Sequence, residues 1–247
     1  MSVLQYEVNQ YNGAVIEESA LPEQQDEFRD RLRETVQELK SQGRKTLWLS
    51  LSIRQAVLVP IAVGEGCQYH HADENNLQLV LKLEPNAFIP SYATHYIGAG
   101  AVMLDDQNRI LVIQERFHTR KHYKLPGGAL DQGEHIAEAV VREVFEETGV
   151  RAEFQYLSCF RHWHGYRFGK SDIYFVCRLK PLTFELTPDP EEISEAVWMP
   201  VEEYLNHPDT HPFNQKIVST VLRGKGLTPD EIPDFGSPET HEMMFLQ

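Results

Sequence analysis

The stretch 127-GGALDQGEHIAEAVVREVFEETGV-150 decides how this chain is read. Gly127 and Gly128 permit a sharp loop into a helix, and Gly149 ends that helix as a C-terminal glycine does. On a helix, residues three and four apart are neighbours, so Glu143 lies beside Glu146 and Glu147 on one face. Ala137, Val140, Val144 and Thr148 share a different face that can pack on a sheet. Like charges at this spacing cost roughly 0.2–0.5 kcal/mol per pair. Arg142 offsets part of that cost, with Glu138 four residues before it and Glu146 four after. A solvated acidic face is one reading. The other is a hard divalent cation held by carboxylate oxygens, which turns the repulsion into binding energy, and Mg²⁺ suits such a set. Spacing alone leaves both open.

The 247 residues suffice for two domains, each with its own core, and 41% hydrophobic with 24% charged residues is ordinary for a folded globular protein. The net charge is −14, and Pro181 to Gln247 holds 3 Lys/Arg against 13 Asp/Glu, a balance of −10. Such a surface repels polyphosphate and disfavours nucleic-acid binding driven by counterion release. The opposite bias is local: Arg116, Arg120, Lys121 and Lys124 precede the quoted stretch and form a patch that can meet a small anion. Cys67, Cys159 and Cys177 are scattered, with no C-x-x-C spacing, so neither a disulfide framework nor a zinc knuckle is indicated. No basic, apolar leader opens the chain and no segment is long enough to cross a bilayer. A reducing, cytoplasmic location without membrane contact is the expectation.

Phe28, Leu32, Val36 and Leu39 recur at spacings of three and four and predict an amphipathic helix ended by Gly43. TLWLSLS and LQLVLKL alternate as half-buried strands do, while RQAVLVPIAVGEG between them fits helix or strand. EPNAFIPSYATH reads as a linker, so an N-terminal α+β domain over 1–94 and a second domain over 95–247 are expected. The second begins with strands IGAGAVML and RILVIQER joined by the turn signal DDQN. The G-x-G of the first strand, lacking its third glycine and helix, is a very weak dinucleotide fingerprint. Strands EFQYLSCF, SDIYFVCRL and AVWM follow the quoted helix, then helices from PVEEYL and FNQKIVSTVL, and a turn-rich tail whose MMFL end is expected to dock.

The pattern G-x5-E-x7-R-E-U-x-E-E-x-G-U, U being a bulky aliphatic, is met without mismatch by Gly128, Glu134, Arg142, Glu143, Val144, Glu146, Glu147, Gly149 and Val150. It resembles the signature of the Nudix hydrolases. The resemblance implies an α/β (α+β) fold, a sandwich of helices around a mixed sheet over about Tyr96 to Leu222. TLWLSLS, HHADENN, PSYATHYIGAGAVML and FRHWHGYRFGKSDIYFVCRL look like the Nudix subgroup with a smaller N-terminal α+β domain. That subgroup includes the antisense fibroblast growth factor protein and plant enzymes acting on ADP-ribose and NADH.

Carried over to this chain, the family's roles make Glu143 and Glu147 the principal metal ligands, Glu146 a ligand directly or through water, and Gly127 a carbonyl donor. The implied cofactor is Mg²⁺, with Mn²⁺ as a substitute. Arg142 would orient the glutamates, and Glu134 would support the loop or act as an ordinary first-turn acid. The general base is Glu143 or Glu192, with Glu191 an equal neighbour in the same loop. Substrate contacts are expected from Arg116, Arg120 or Lys124, and from His164 and Tyr166 in the FRHWHGY segment. Trp163, Tyr166 and Phe168 offer stacking surfaces, though aromatic residues near a strand end more often serve packing. His162 and His164 would face one way on a strand, as a zinc pair does, but no third ligand stands at a useful spacing. His70 and His71 read as structural.

The expected activity is cleavage of a nucleoside diphosphate linked to another group, ADP-ribose or NADH first, releasing AMP. The partner is thus a small-molecule nucleotide, and a homodimer is expected. A nucleotide sensor with weak or no turnover, and a dinucleoside polyphosphate hydrolase, hinted at by Tyr166, are the alternatives; cleavage of capped RNA is disfavoured by the acidic surface.

Overall fold

The computed structural model describes residues 2–117, 122–232, 237 and 239–246. Two compact units are present, Met1–Ala93 and Thr94–Gln247.

In the first unit the chain runs β1 (Glu7–Val8), β2 (Gly13–Ile16), α1 (Gln25–Ser41), β3 (Thr46–Ser52), α2 (Val59–Gly64), β4 (Gln68–Ala72) and β5 (Asn76–Lys82). The sheet order is β1-β2-β3-β5-β4, with β2 and β3 parallel because α1 carries the chain back between them. Phe28, Leu32 and Leu39 of α1 pack on Leu47, Leu49 and Leu51 of β3, the alternate residues that a two-residue period sends to one side. The ambiguous apolar run is helical. Ser52 and Gln55 form a reciprocal capping box that opens a 3₁₀ turn over Ile53–Leu58, and Pro60 sits in the first turn of α2, where a missing N–H costs nothing.

The second unit follows as β6 (His95–Met103), β7 (Arg109–Glu115), β8 (Gly127–Ala129), α3 (Ile136–Thr148), β9 (Ala152–Trp163), β10 (Ser171–Pro181), β11 (Ile193–Pro200), α4 (Val201–Asn206), α5 (Pro212–Val221), β12 (Leu227–Pro229) and β13 (Met244–Leu246). A mixed six-stranded sheet, order β13-β12-β9-β10-β6-β8, is covered on both faces. Ala99, Ala101 and Met103 of β6 face Val140 and Val144 of α3, while Val102 and Val176 belong to the cluster with Tyr204 of α4 and Ile217 and Val218 of α5. Burying side chains of this size stabilises by about 1.5–3 kcal/mol each.

Two features of the first strands take their meaning from the fold. β6 and β7 are joined by the DDQN turn, in which Asp105 accepts from the N–H groups of Gln107 and Arg109 at 2.9 and 2.8 Å. They share only a bridge at Leu104 and Ile110, after which β7 leaves to pair with β11 in a separate two-stranded sheet. A Cβ on Gly100 would collide with the Tyr174 hydroxyl, and one on Gly98 would sit 2.9 Å from the Gly128 carbonyl, so both glycines serve close packing. The MMFL tail docks as expected: β13 pairs with β12, β12 meets β9 at Leu227 and Leu157, and Met244 packs on the α3-side core.

Candidate active site

The crowded glutamates do not share one environment. Glu147 lies three residues after Val144 and seven after Val140, at the border of the buried face, and is only 6% exposed. Its Oε2 accepts a 2.6 Å hydrogen bond from the Gly127 amide at the start of β8. Gly127 reaches that position at φ +140°, where a side chain would clash with the Ala99 carbonyl. Burial pushes the Glu147 carboxyl up to about 7 despite the nearby Lys124 ammonium. Glu143 is half-buried against Gly128, where an added Cβ would stand 2.5 Å from Oε2, and burial raises its carboxyl as well. Glu146 is the exposed member.

Arg142 organises the rest. Its Nε and Nη2 bind both oxygens of Glu134 at 2.7 and 2.8 Å, while Nη1 reaches Glu143 at 3.0 Å and Glu146 at 2.8 Å. A fourth tie runs from Nη2 to the Ala129 carbonyl at 3.2 Å. The expected pairing with Glu138 is replaced by Glu134, because the loop folds its carboxylate back over the helix, where a planar fork can bind it in bidentate fashion. Glu134 precedes the helix, so it is no first-turn acid; the Arg142 hydrogen bonds hold its carboxyl below the usual range.

Lys124 is mostly covered, with Nζ 2.5 Å from Glu115 Oε1 and 3.6 Å from Glu147 Oε1. Arg116 is exposed, and its amide donates to the Glu192 carbonyl at 2.7 Å, which sets Glu192 beside the end of β7 with its own side chain in solvent. Arg120 and Lys121 lie outside the described residues. The histidine segment gains a member that sequence could not supply: His95, 67 residues earlier, meets His162 Nε2 to Nε2 at 2.9 Å. His164 packs on His162 with ring centroids 4.4 Å apart and bonds Ser171 through Nδ1 at 2.8 Å. The His162 nitrogen is thus taken by another imidazole, and among the described residues no three His, Cys, Asp or Glu side chains form a ready metal cage. Tyr166 stands edge-on to Tyr96 and Trp163 at 5.6 and 5.4 Å.

Two contributors were missed by reading the sequence. Glu242, in the tail, accepts from the amides of Ile136 and Ala137 at 2.8 and 3.0 Å and so caps α3 from 105 residues away. Tyr174 packs over Gly100, and burial, with Glu147 adding to it, raises its hydroxyl. Neither has a local signal in the sequence.

The glutamates are hard oxygen donors of the kind a divalent cation takes, although their side chains do not converge as a formed cage. Glu143 and Glu147 are oxygen donors driven upward by burial, and Lys124 already brings a positive charge to Glu147.

A NUDIX domain matches residues 94–221, and a Nudix hydrolase domain matches residues 4–83. Nudix hydrolase 8 of Arabidopsis thaliana is 37% identical over 205 residues, 81% of this chain and 56% of that protein, so the chain spans little more than half of that relative. Nudix hydrolase 2 of the same plant is 40% identical over 200 residues, covering 79% and 72%. The human nucleoside diphosphate-linked moiety X motif 6 is 36% identical over 217 residues, covering 83% and 69%. A NUDIX hydrolase structure from Nitrosomonas europaea aligns with a TM-score of 0.46 at 25% identity, over 52% of this chain and 89% of that one. With matches over both units and a complete signature on α3, the chain belongs to the Nudix hydrolase family.

Proposed function

We propose that this protein hydrolyses the pyrophosphate of a nucleoside diphosphate linked to another group, using Mg²⁺, with ADP-ribose or NADH as substrate and AMP as product. The observation that carries this reading is the pair Glu143 and Glu147 at the β8–α3 junction, both raised by burial, Glu147 held by the Gly127 amide and Glu143 by Arg142 beside Gly128. Mg²⁺, when bound there, supplies neutralisation of charge on the phosphate oxygens and makes water a better nucleophile. Glu143, Glu146 and Glu147 would hold it, with the Gly127 carbonyl as a further donor. Arg142 keeps Glu143 and Glu146 aimed, and Glu134 fixes Arg142. For the proton of the attacking water, Glu143 offers a carboxylate already raised by burial, and Glu192 an exposed one. The free thiols Cys67, Cys159 and Cys177 support a reducing, cytoplasmic setting.

The test is AMP release from ADP-ribose with Mg²⁺, beside NADH, a dinucleoside polyphosphate and nucleoside triphosphates, with Glu147→Gln as the blank. ADP-ribose or NADH turnover that falls at least about a hundredfold in the variant supports the reading. Bound ADP-ribose without turnover points to a sensor instead.

A further inference from the structure

We infer that the face of the six-stranded sheet opposite α3 carries the nucleobase subsite of this enzyme, in which Arg161 and Asp172 read the edge of an adenine stacked among Tyr96, Trp163 and Tyr166. The inference rests on the hydrolase reading above and adds to it the group that the site recognises.

The strand register builds the subsite. β6, β10 and β9 place Tyr96, Asp172 and Trp163 in one row across the sheet, and Gly98, Tyr174 and Arg161 in the next. Side chains two apart on a strand share a face, so both rows point the same way. Tyr174 belongs to the cluster on the α4 and α5 side, which fixes that face. The Arg161 guanidinium is ringed by Trp163, Tyr174 and Phe213, its carbon 5.4, 5.5 and 5.4 Å from their centroids. It is paired with Asp172, which is 5% exposed.

Stability does not explain this group. An ion pair with Asp172 covered and the Arg161 side chain one-third exposed adds little net stability. Here the pair is also incomplete: Arg161 Nε is buried without a partner, and among the described residues Asp172 shows no hydrogen bond beyond Arg161. The row beside it leaves large rings in water, Trp163 at 47% and Tyr96 at 39% exposure. Unsatisfied polar groups beneath exposed aromatic surface are what a planar, hydrogen-bonding ring would cover.

The position suits a nucleoside diphosphate. β8, whose Gly127 amide holds Glu147 and whose Gly128 lies against Glu143, is the neighbour of β6, pairing at Gly98 and Gly100. From that edge to Asp172 on β10 is two strand spacings, roughly 10 Å. Adenine shows a donor at N6 beside an acceptor at N7, the complement of a carboxylate next to a guanidinium. Hypoxanthine replaces the amine by an acceptor and turns it against Asp172.

The experiment is titration calorimetry of AMP and of IMP into the whole protein with Mg²⁺, neither of them requiring turnover. AMP is expected to bind at least about tenfold tighter than IMP. Trp163→Ala should weaken both nucleotides, Arg161→Gln should weaken AMP, and Asp172→Asn should abolish the preference, with circular dichroism confirming that each variant is folded. Equal affinity for AMP and IMP, AMP affinity unchanged in both Trp163→Ala and Arg161→Gln, or no AMP binding at millimolar concentration overturns the inference. A protein that prefers AMP but hydrolyses nothing keeps the subsite and loses the hydrolase reading; an active protein with no preference loses the subsite alone.

Discussion

Helices α1 and α3 follow the same amphipathic rule and use their charges in opposite ways. On α1 the charges are paired one-to-one near the surface: Arg29 with Asp26 at 2.6 Å and Arg31 with Glu27 at 3.2 Å, one turn apart, and Arg33 with Glu65 at 2.7 Å. Such pairs are worth a few tenths of a kcal/mol and leave the apolar stripe to hold the helix. On α3 one arginine serves three carboxylates, and two more groups, Gly127 and Lys124, are drawn in to hold Glu147. α1 is tuned for its own stability. α3 accepts buried, raised carboxyls that a helix built for stability would exclude.

The comparison breaks first at the arginines. Arg142→Ala should cut hydrolysis about 10- to 100-fold by releasing Glu134, Glu143 and Glu146, whereas Arg29→Ala should leave it unchanged and cost under about 1 kcal/mol. Steady-state rates with urea melts of both variants decide it; equal effects would mean that the α3 network is as dispensable as a surface pair.

Next comes the pH dependence of Glu147. Its carboxyl is raised from an ordinary 4.5 to about 7, so the native state binds this proton more tightly than the unfolded chain does. Its contribution is therefore favourable below about pH 4.5 and is lost as pH climbs to about 7. Glu147→Gln should make the cation-free protein relatively more stable at pH 8 than at pH 5, by up to about 3 kcal/mol, while abolishing turnover. Melts in chelator at the two pH values test this; a gap that does not widen with pH would place Glu147 in the same class as the charges of α1.

The smallest effect concerns the helix starts. Neither α1 nor α3 is capped by the oxygen of a Ser, Thr, Asp or Asn at its N-cap, where Gln24 and His135 stand, but α3 borrows Glu242. Glu242→Ala should cost about 0.5–2 kcal/mol, with Gln restoring part of it. A neutral alanine variant would show that the tail lies against α3 without stabilising it.

The pattern of α3 was legible because its information is local: spacing puts Val140 and Val144 inward and the glutamates together, and glycine chemistry marks both ends. The strands were legible for the same reason, since alternation along TLWLSLS or IGAGAVML is a property of consecutive residues. The partition of β6 and β7 into different sheets was not, because a turn signal states that the chain reverses and not which edge each strand then joins. Nor was the burial of Lys124, which follows from Glu115 and Glu147 converging on it from two elements.

Sequence by itself thus determined the helix that carries the carboxylates, the family signature and the existence of a docked tail. Tertiary structure alone decided which glutamate is buried, that Glu134 and not Glu138 clamps Arg142, that Glu242 caps α3, and that Arg161, Asp172 and Tyr174 share a face with Tyr96. The physical reason is range. Periodicity, capping and turn chemistry act over a few residues, whereas desolvation and cross-strand contact depend on segments tens of residues apart being brought together by the cores.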